Sequence, residues 1–167
     1  MSAPDPLFRV LFVCTGNTCR SPLAEVALKR ALGAAAAKVA VSSAGTAAFD
    51  GAPASGPSLE LARAAGLDLS GHRSRRLTRE MLAAADLVLL MDPRDRALVR
   101  SLDGEAVART HGLADFGRDR PTGDAIPDPY GGSAEAYEEC LRRIESHLER
   151  VVPHVRAAIE ERSFGAR

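Results

Sequence analysis

Tryptophan is absent from the chain, which has only two tyrosines and five phenylalanines. The core of its 167 residues must therefore rest on Leu, Val, Ala and Ile. That length suits one compact domain and leaves little room for a second, so residues 1–167 read as a single domain. Neither sign of charge is in excess, because 22 Lys and Arg balance 22 Asp and Glu. Nucleic-acid and membrane surfaces usually demand a basic surplus, so neither is an expected partner. No apolar run approaches the ~20 residues of a membrane span. The opening Met-Ser-Ala-Pro-Asp-Pro lacks a basic region followed by an apolar stretch, so no secretory signal is expected. The three cysteines, Cys14, Cys19 and Cys140, are too few and too odd in number for a disulfide scaffold. A reducing, cytoplasmic setting is expected.

What is present alternates between two periodicities. Phe8 to Val13 is an apolar run that reads as a buried strand. From Pro22 to Leu32 apolar residues recur at helical spacing, with Ser21 as the expected N-cap before Pro22. Lys38 to Ser43 reads as a second strand, Ser58 to Ala65 as a helix stopped by Gly66, and Thr78 to Ala85 as a short helix capped by Thr78. Asp86 to Met91 is the clearest strand in the middle of the chain. Asp92 then caps a helix from Pro93 to about Leu102. Ala106 to Thr110 is a weak fourth strand. Ala114 to Ser133, rich in Gly, Pro and Asp, reads as a long loop of the kind that carries function. Ala134 to about Arg162 is one long helix that Pro153 is expected to kink or split. The alternation points to an α/β fold, a parallel sheet with helices on both faces, which binds ligands at the carboxyl ends of its strands.

The segment Cys14-Thr15-Gly16-Asn17-Thr18-Cys19-Arg20-Ser21 lies at such a strand end. Gly16 and Asn17 tolerate positive φ, which lets successive N–H groups curl inward. The following helix N-terminus adds partial positive charge, and Arg20 adds a planar fork matched to phosphate oxygens. These parts make a cradle for a tetrahedral dianion. A cysteine at its mouth should have a stabilised thiolate and a pKa below that of free cysteine.

The run from Val13 to Pro22, with its Cys-x5-Arg-Ser spacing, resembles the signature of the low-molecular-weight protein tyrosine phosphatase family. Asp128-Pro129-Tyr130, Ser43-Ala44-Gly45-Thr46 and His72 extend the likeness over most of the chain. The resemblance implies a three-layer sandwich whose four-stranded parallel sheet runs in the order 2-1-3-4. It implies a nucleophilic Cys14 that forms a phosphocysteine intermediate, with Arg20 and the amides of Thr15 to Arg20 holding the phosphoryl oxygens. Asp128 would be the general acid and then the general base. Ser21 would donate to the Cys14 sulfur, and Asn17 would brace the loop through side-chain bonds to Ser43 and His72. No metal or other cofactor is implied, and the partners would be phosphorylated proteins.

Blander readings stand beside these. His72, in the basic run His72-Arg73-Ser74-Arg75-Arg76, could be a solvated loop histidine, and that run is usually a solvated face. If it borders the cleft, it could attract acidic phosphoprotein segments. Cys19 is either a small buried hydrophobe or a partner that traps oxidised Cys14 as a disulfide, and Cys140 reads as structural. Many tyrosine-specific members carry a bulky aliphatic residue where Thr18 stands. The Thr-Gly-Asn-Thr-Cys form, with Asp128 to Ser133 downstream, is similar to the branch that dephosphorylates arginine. Tyr130 could stack on a phenyl ring or on a guanidinium. Thioredoxin-coupled arsenate reductases share a similar loop but need two further mid-chain cysteines, and none lies between Ser21 and Glu139. A phosphate-binding module without catalysis predicts loss of the nucleophile or the acid, and Cys14, Arg20 and Asp128 are all present.

Overall fold

The computed structural model describes residues 7–165; the opening segment read for a leader lies outside them. Four parallel strands form one sheet in the order β2-β1-β3-β4. They are β1 (Phe8–Cys14), β2 (Val39–Gly45), β3 (Leu87–Leu90) and β4 (Thr110–Gly112). Five helices flank them: α1 (Arg20–Leu32), α2 (Gly56–Ala64), α3 (Arg79–Ala84), α4 (Arg96–Leu102) and α5 (Ala134–Gly165). Side chains alternate across a strand. Val10, Phe12 and Cys14 of β1 therefore pack under Leu23 and Leu28 of α1 and Ile144 and Leu148 of α5. Leu11 and Val13 meet Leu82 of α3 and Val99 of α4 on the other face. The expected three-layer α/β sandwich and its 2-1-3-4 order are what the chain adopts.

The central strands end together. Cys14 pairs with Gly45 and Val13 with Leu90, so loops after β1, β2 and β3 emerge on one carboxyl edge. The chain turns one way from β1 to β2 and the other way to β3, which places the β1 loop at a topological switch point.

Several boundaries differ from the sequence expectation for local reasons. Helix α1 begins at Arg20, and its N-cap is Cys19 rather than Ser21. The Ser21 hydroxyl is turned instead toward the Cys14 sulfur at 2.9 Å. Ser55, whose hydroxyl accepts the Ser58 amide, starts α2 two residues before the expected Ser58. Thr78 caps α3 through the Met81 amide, as expected, and the Asp92 carboxylate accepts the Arg94 amide. The expected strand Ala106–Thr110 is mostly a 3₁₀ turn over Gly104–Arg109, and the fourth strand starts only at Thr110. Asp103 caps that turn through the Glu105 amide, and the Thr110 hydroxyl bonds back to the Ala106 carbonyl at 2.7 Å. Helix α5 runs unbroken through Pro153. Pro153 and Glu149, whose carbonyl loses its helical donor, are both exposed, so the lost bond falls on the solvent side of the helix.

Candidate active site

The loop from Thr15 to Cys19 joins β1 to α1 and closes around the Cys14 sulfur. The Asn17 amide donates to Cys14 Sγ at 3.2 Å. Asn17 has φ of 56°, the one positive value at a non-glycine position among the described residues. Asparagine tolerates this left-handed conformation better than most residues. The reverse side of the loop leans on Gly45. A Cβ there would lie 2.5 Å from the Thr15 carbonyl oxygen and 2.8 Å from Ala48 Cβ. Gly45 is thus fixed by close backbone approach, a role that its place in Ser43-Ala44-Gly45-Thr46 did not disclose.

A buried polar chain orients the hydroxyl nearest the sulfur. Asn17 Nδ2 donates to Ser21 Oγ at 2.8 Å and to Ser43 Oγ at 2.9 Å. The Ser43 hydroxyl donates to the Glu25 carboxylate at 2.8 Å. Because Ser43 spends its proton on Glu25, its oxygen must accept from Asn17, which fixes the Asn17 amide. Asn17 Oδ1 then accepts the Arg75 amide at 2.8 Å. Ser21 Oγ accepts from Asn17, which leaves its own proton free to point at the Cys14 sulfur. Glu25 and Arg75 were invisible as site residues in the sequence. His72 holds the loop differently from expectation. Its Nε2 lies 2.7 Å from the Asn17 backbone carbonyl, so Nε2–H donates to the main chain and not to the Asn17 side chain. Half-buried and bonded, His72 is not a free solvated histidine.

Arg20 is buried, and its guanidinium spans the site. Nη1 donates to the Ile126 carbonyl at 3.2 Å, and Nη2 reaches both Thr15 Oγ1 and Asp128 Oδ2 at 3.2 Å. The Ile126 amide is tied to the Met91 carbonyl at the end of β3. The segment carrying Asp128 is thereby fastened to the sheet edge beside a loop 108 positions earlier. Asp128 is half exposed, and its other oxygen accepts the Tyr130 amide at 3.1 Å. The Cys14 thiol is pushed up from its ordinary pKa by burial, against the pull of the Ser21 hydroxyl and amide, the Arg20 guanidinium and the Asn17 amide. Desolvation outweighs the donors.

These groups floor a cleft of about 340 Å³, lined by the loop, Ala47, Ala48, Phe49, Ala52, Ser74, Asp128 and Tyr130. Phe49 and Tyr130 stand 85% and 73% exposed, two aromatic faces at one mouth. Phe49, a lone aromatic in an alanine-rich stretch, is a cleft residue that sequence reasoning missed. Thr18 also lines the cleft, with its carbonyl held by the Ser55 amide at 2.9 Å. The Cys19 thiol lies 3.3 Å from Ser55 Oγ and 3.6 Å from the Tyr137 hydroxyl. All three cysteines are free thiols, and burial pushes Cys140 up to about 12. Ser43, Ser21 and Asn17 are buried, as a bracing role requires.

A Cys-x5-Arg loop at the carboxyl edge of a 2-1-3-4 parallel sheet, with an aspartate against the arginine, is the arrangement of a cysteine-dependent phosphatase. Comparison with known proteins narrows this. Residues 9–162 match the sequence model of the low molecular weight phosphotyrosine protein phosphatase family, and the chain belongs to that family. It is 35% identical over 148 residues to a probable low molecular weight protein-tyrosine-phosphatase, EpsP, of Ralstonia nicotianae, covering 89% of this chain and 96% of that protein. It is 36% identical over 148 residues to a protein-arginine-phosphatase of Geobacillus stearothermophilus, covering 86% of this chain and 93% of the relative. The solved structure of the YwlE arginine phosphatase from Geobacillus stearothermophilus superposes with a TM-score of 0.82 at 32% identity, covering 92% of this chain and 96% of that one.

Proposed function

We propose that the chain hydrolyses phosphotyrosine in proteins through a phosphocysteine intermediate on Cys14. The observation that carries this is the placement of Cys14 Sγ 2.9 Å from the Ser21 hydroxyl and 3.2 Å from the Asn17 amide, beside a buried Arg20 that also holds Asp128. The Cys14 thiolate attacks phosphorus, and the S–P bond forms as the bond to the leaving oxygen breaks. Protonated Asp128 gives its proton to that oxygen. The amides of Thr15 to Arg20 and the Arg20 fork hold the three equatorial oxygens, whose charge grows in the transition state. Water then attacks phosphorus, the Asp128 carboxylate takes the water's proton, and sulfur leaves as thiolate with the Ser21 hydroxyl donating to it. The positive charge in each step comes from Arg20 and the backbone, so the reaction draws on no metal. A nucleophilic thiol that must stay reduced suits the cytoplasm.

A second substrate reading has its own observation. Thr18 leaves space and a hydroxyl in the cleft where a bulkier side chain would favour an aromatic ring. The planar guanidinium of phosphoarginine could pack between Phe49 and Tyr130 as a phenyl ring could. Hydrolysis of an aryl phosphate in the presence of a chelator tests the activity, and loss of turnover on chelation counts against it. Phosphotyrosine and phosphoarginine peptides compared in one assay test the substrate. Thr18→Ile is expected to weaken the arginine reaction selectively, and equal effects on both peptides would remove Thr18 as the selector.

A further inference from the structure

We propose that the arginine strip from Arg73 to Arg76, which flanks Ser74 at the wall of the cleft, docks acidic residues that flank the phosphorylated residue of a protein substrate. The proposal rests on the phosphatase reading for its substrate class. Its backbone is pinned against the loop that carries Phe49. The Ser74 amide donates to the Ala52 carbonyl at 2.7 Å and the Gly51 amide to the Ser74 carbonyl at 2.8 Å. The Ser74 hydroxyl donates to the Phe49 carbonyl at 2.5 Å. Ser74 and Phe49 both line the cleft, so Arg73 and Arg76 emerge within two residues of its wall.

Their charges are uncommitted. Several arginines elsewhere sit against carboxylates, as in Arg30–Glu145, Arg94–Asp92 and Arg143–Glu139, while others such as Arg63, Arg79 and Arg100 form no ion pair among the described residues. Among the described residues Arg73, Arg75 and Arg76 form no ion pair, although all three are exposed. Arg75 turns its guanidinium inward to the Ser43 carbonyl, 3.1 Å from Nη2. Arg73 donates one N–H to the adjacent His72 carbonyl at 2.6 Å. The carboxylate bonded to this strip is Asp50, which accepts the Arg76 amide at 2.7 Å and offsets part of the charge of three guanidinium groups. In a chain whose formal net charge is zero, this concentration is local and lies beside the mouth where a substrate must enter. An extended peptide rises ~3.3–3.6 Å per residue, so a residue two or three positions from the phosphorylated one reaches roughly 7–10 Å, far enough to pass along this wall.

The test is binding of fluorescent peptides that carry a non-hydrolysable phosphonate analogue of phosphotyrosine, flanked by Asp and Glu, by Ser and Gly, or by Lys. The acidic peptide should bind about 3- to 10-fold tighter than the neutral one at low salt, the scale of two exposed charge pairs. That preference should shrink below about twofold near 0.5 M salt. R73E/R76E should abolish or invert it. Equal binding of acidic and neutral peptides by the unaltered protein overturns the proposal, as does a preference that survives both charge reversal and salt. Because the readout is binding, failure of the phosphatase reading appears separately, as an acidic preference without turnover of an aryl phosphate.

Discussion

Gly45→Ala is a small substitution with a large expected effect. The added Cβ would lie 2.5 Å from the Thr15 carbonyl oxygen, 2.8 Å from Ala48 Cβ and 3.0 Å from the Asn17 amide nitrogen. None of these is the movable end of a long side chain. Ordinary contact begins near 3.4 Å, so the Thr15 carbonyl must retreat by about 0.9 Å, the difference from 2.5 Å, or β2 must give way. The strand is held there by the Thr46 amide on the Cys14 carbonyl and the Ala47 amide on the Thr15 carbonyl, at 2.8 and 2.9 Å. The loop is therefore the part that shifts, carrying its amides with it. Overpacking of this kind costs about 1–3 kcal/mol of stability, or roughly 2–12 °C in Tm at this chain length. A misplacement near 1 Å lowers kcat/KM by about 100-fold. Thermal unfolding and aryl phosphate kinetics read the two effects side by side. Gly104→Ala is the control, because a Cβ there meets nothing within 4 Å, and it should leave both values nearly unchanged. Wild-type kcat/KM in Gly45→Ala would refute the claim that loop geometry depends on this contact.

Ser21→Ala removes a group that lowers the Cys14 pKa. The alkaline rise in Cys14 alkylation by iodoacetamide should therefore move to higher pH, and alkylation at a fixed neutral pH should slow. An unmoved profile would detach Ser21 from the sulfur. Asp128→Asn should lower kcat for poor leaving groups by about 10²–10⁴-fold, the usual contribution of general acid–base catalysis. A retained rate would assign the acid elsewhere. Glu25→Ala frees the Ser43 proton from its acceptor and should lower kcat through the Asn17 and Ser21 orientations while leaving KM close to its original value; a change in KM alone would contradict that route.

The chemistry of the site was legible because it is contiguous. Cys14, Gly16, Asn17 and Arg20 lie within one turn of chain, and their types and spacing describe an anion cradle before any fold is known. Asp128 was legible only through family likeness, since an Asp-Pro step alone reads as a turn. The supports that were missed depend on distant pairing: Glu25 meets Ser43, and Arg75 meets Asn17 at a separation of 58 positions. Ser21 was misread only as a helix cap, while the sulfur contact implied by the family likeness is present at 2.9 Å. A serine before proline is a common helix cap, but here the cysteine sulfur and the Asn17 amide compete for its hydroxyl and win. Secondary structure failed where elements are shortest. The apolar content of Ala106–Arg109 suits a strand, yet Asp103 and Thr110 close it into a 3₁₀ turn with their side chains.

The central claim is that phosphoryl transfer passes through the Cys14 sulfur. Rapid acid quench during turnover of a ³²P-labelled substrate, followed by peptide mapping, tests it directly. Up to one phosphoryl group per chain should appear, bound as a phosphothioester to Cys14 and retained in a Cys19→Ser variant. Steady turnover with no label at Cys14, or with the label on another residue, would contradict it.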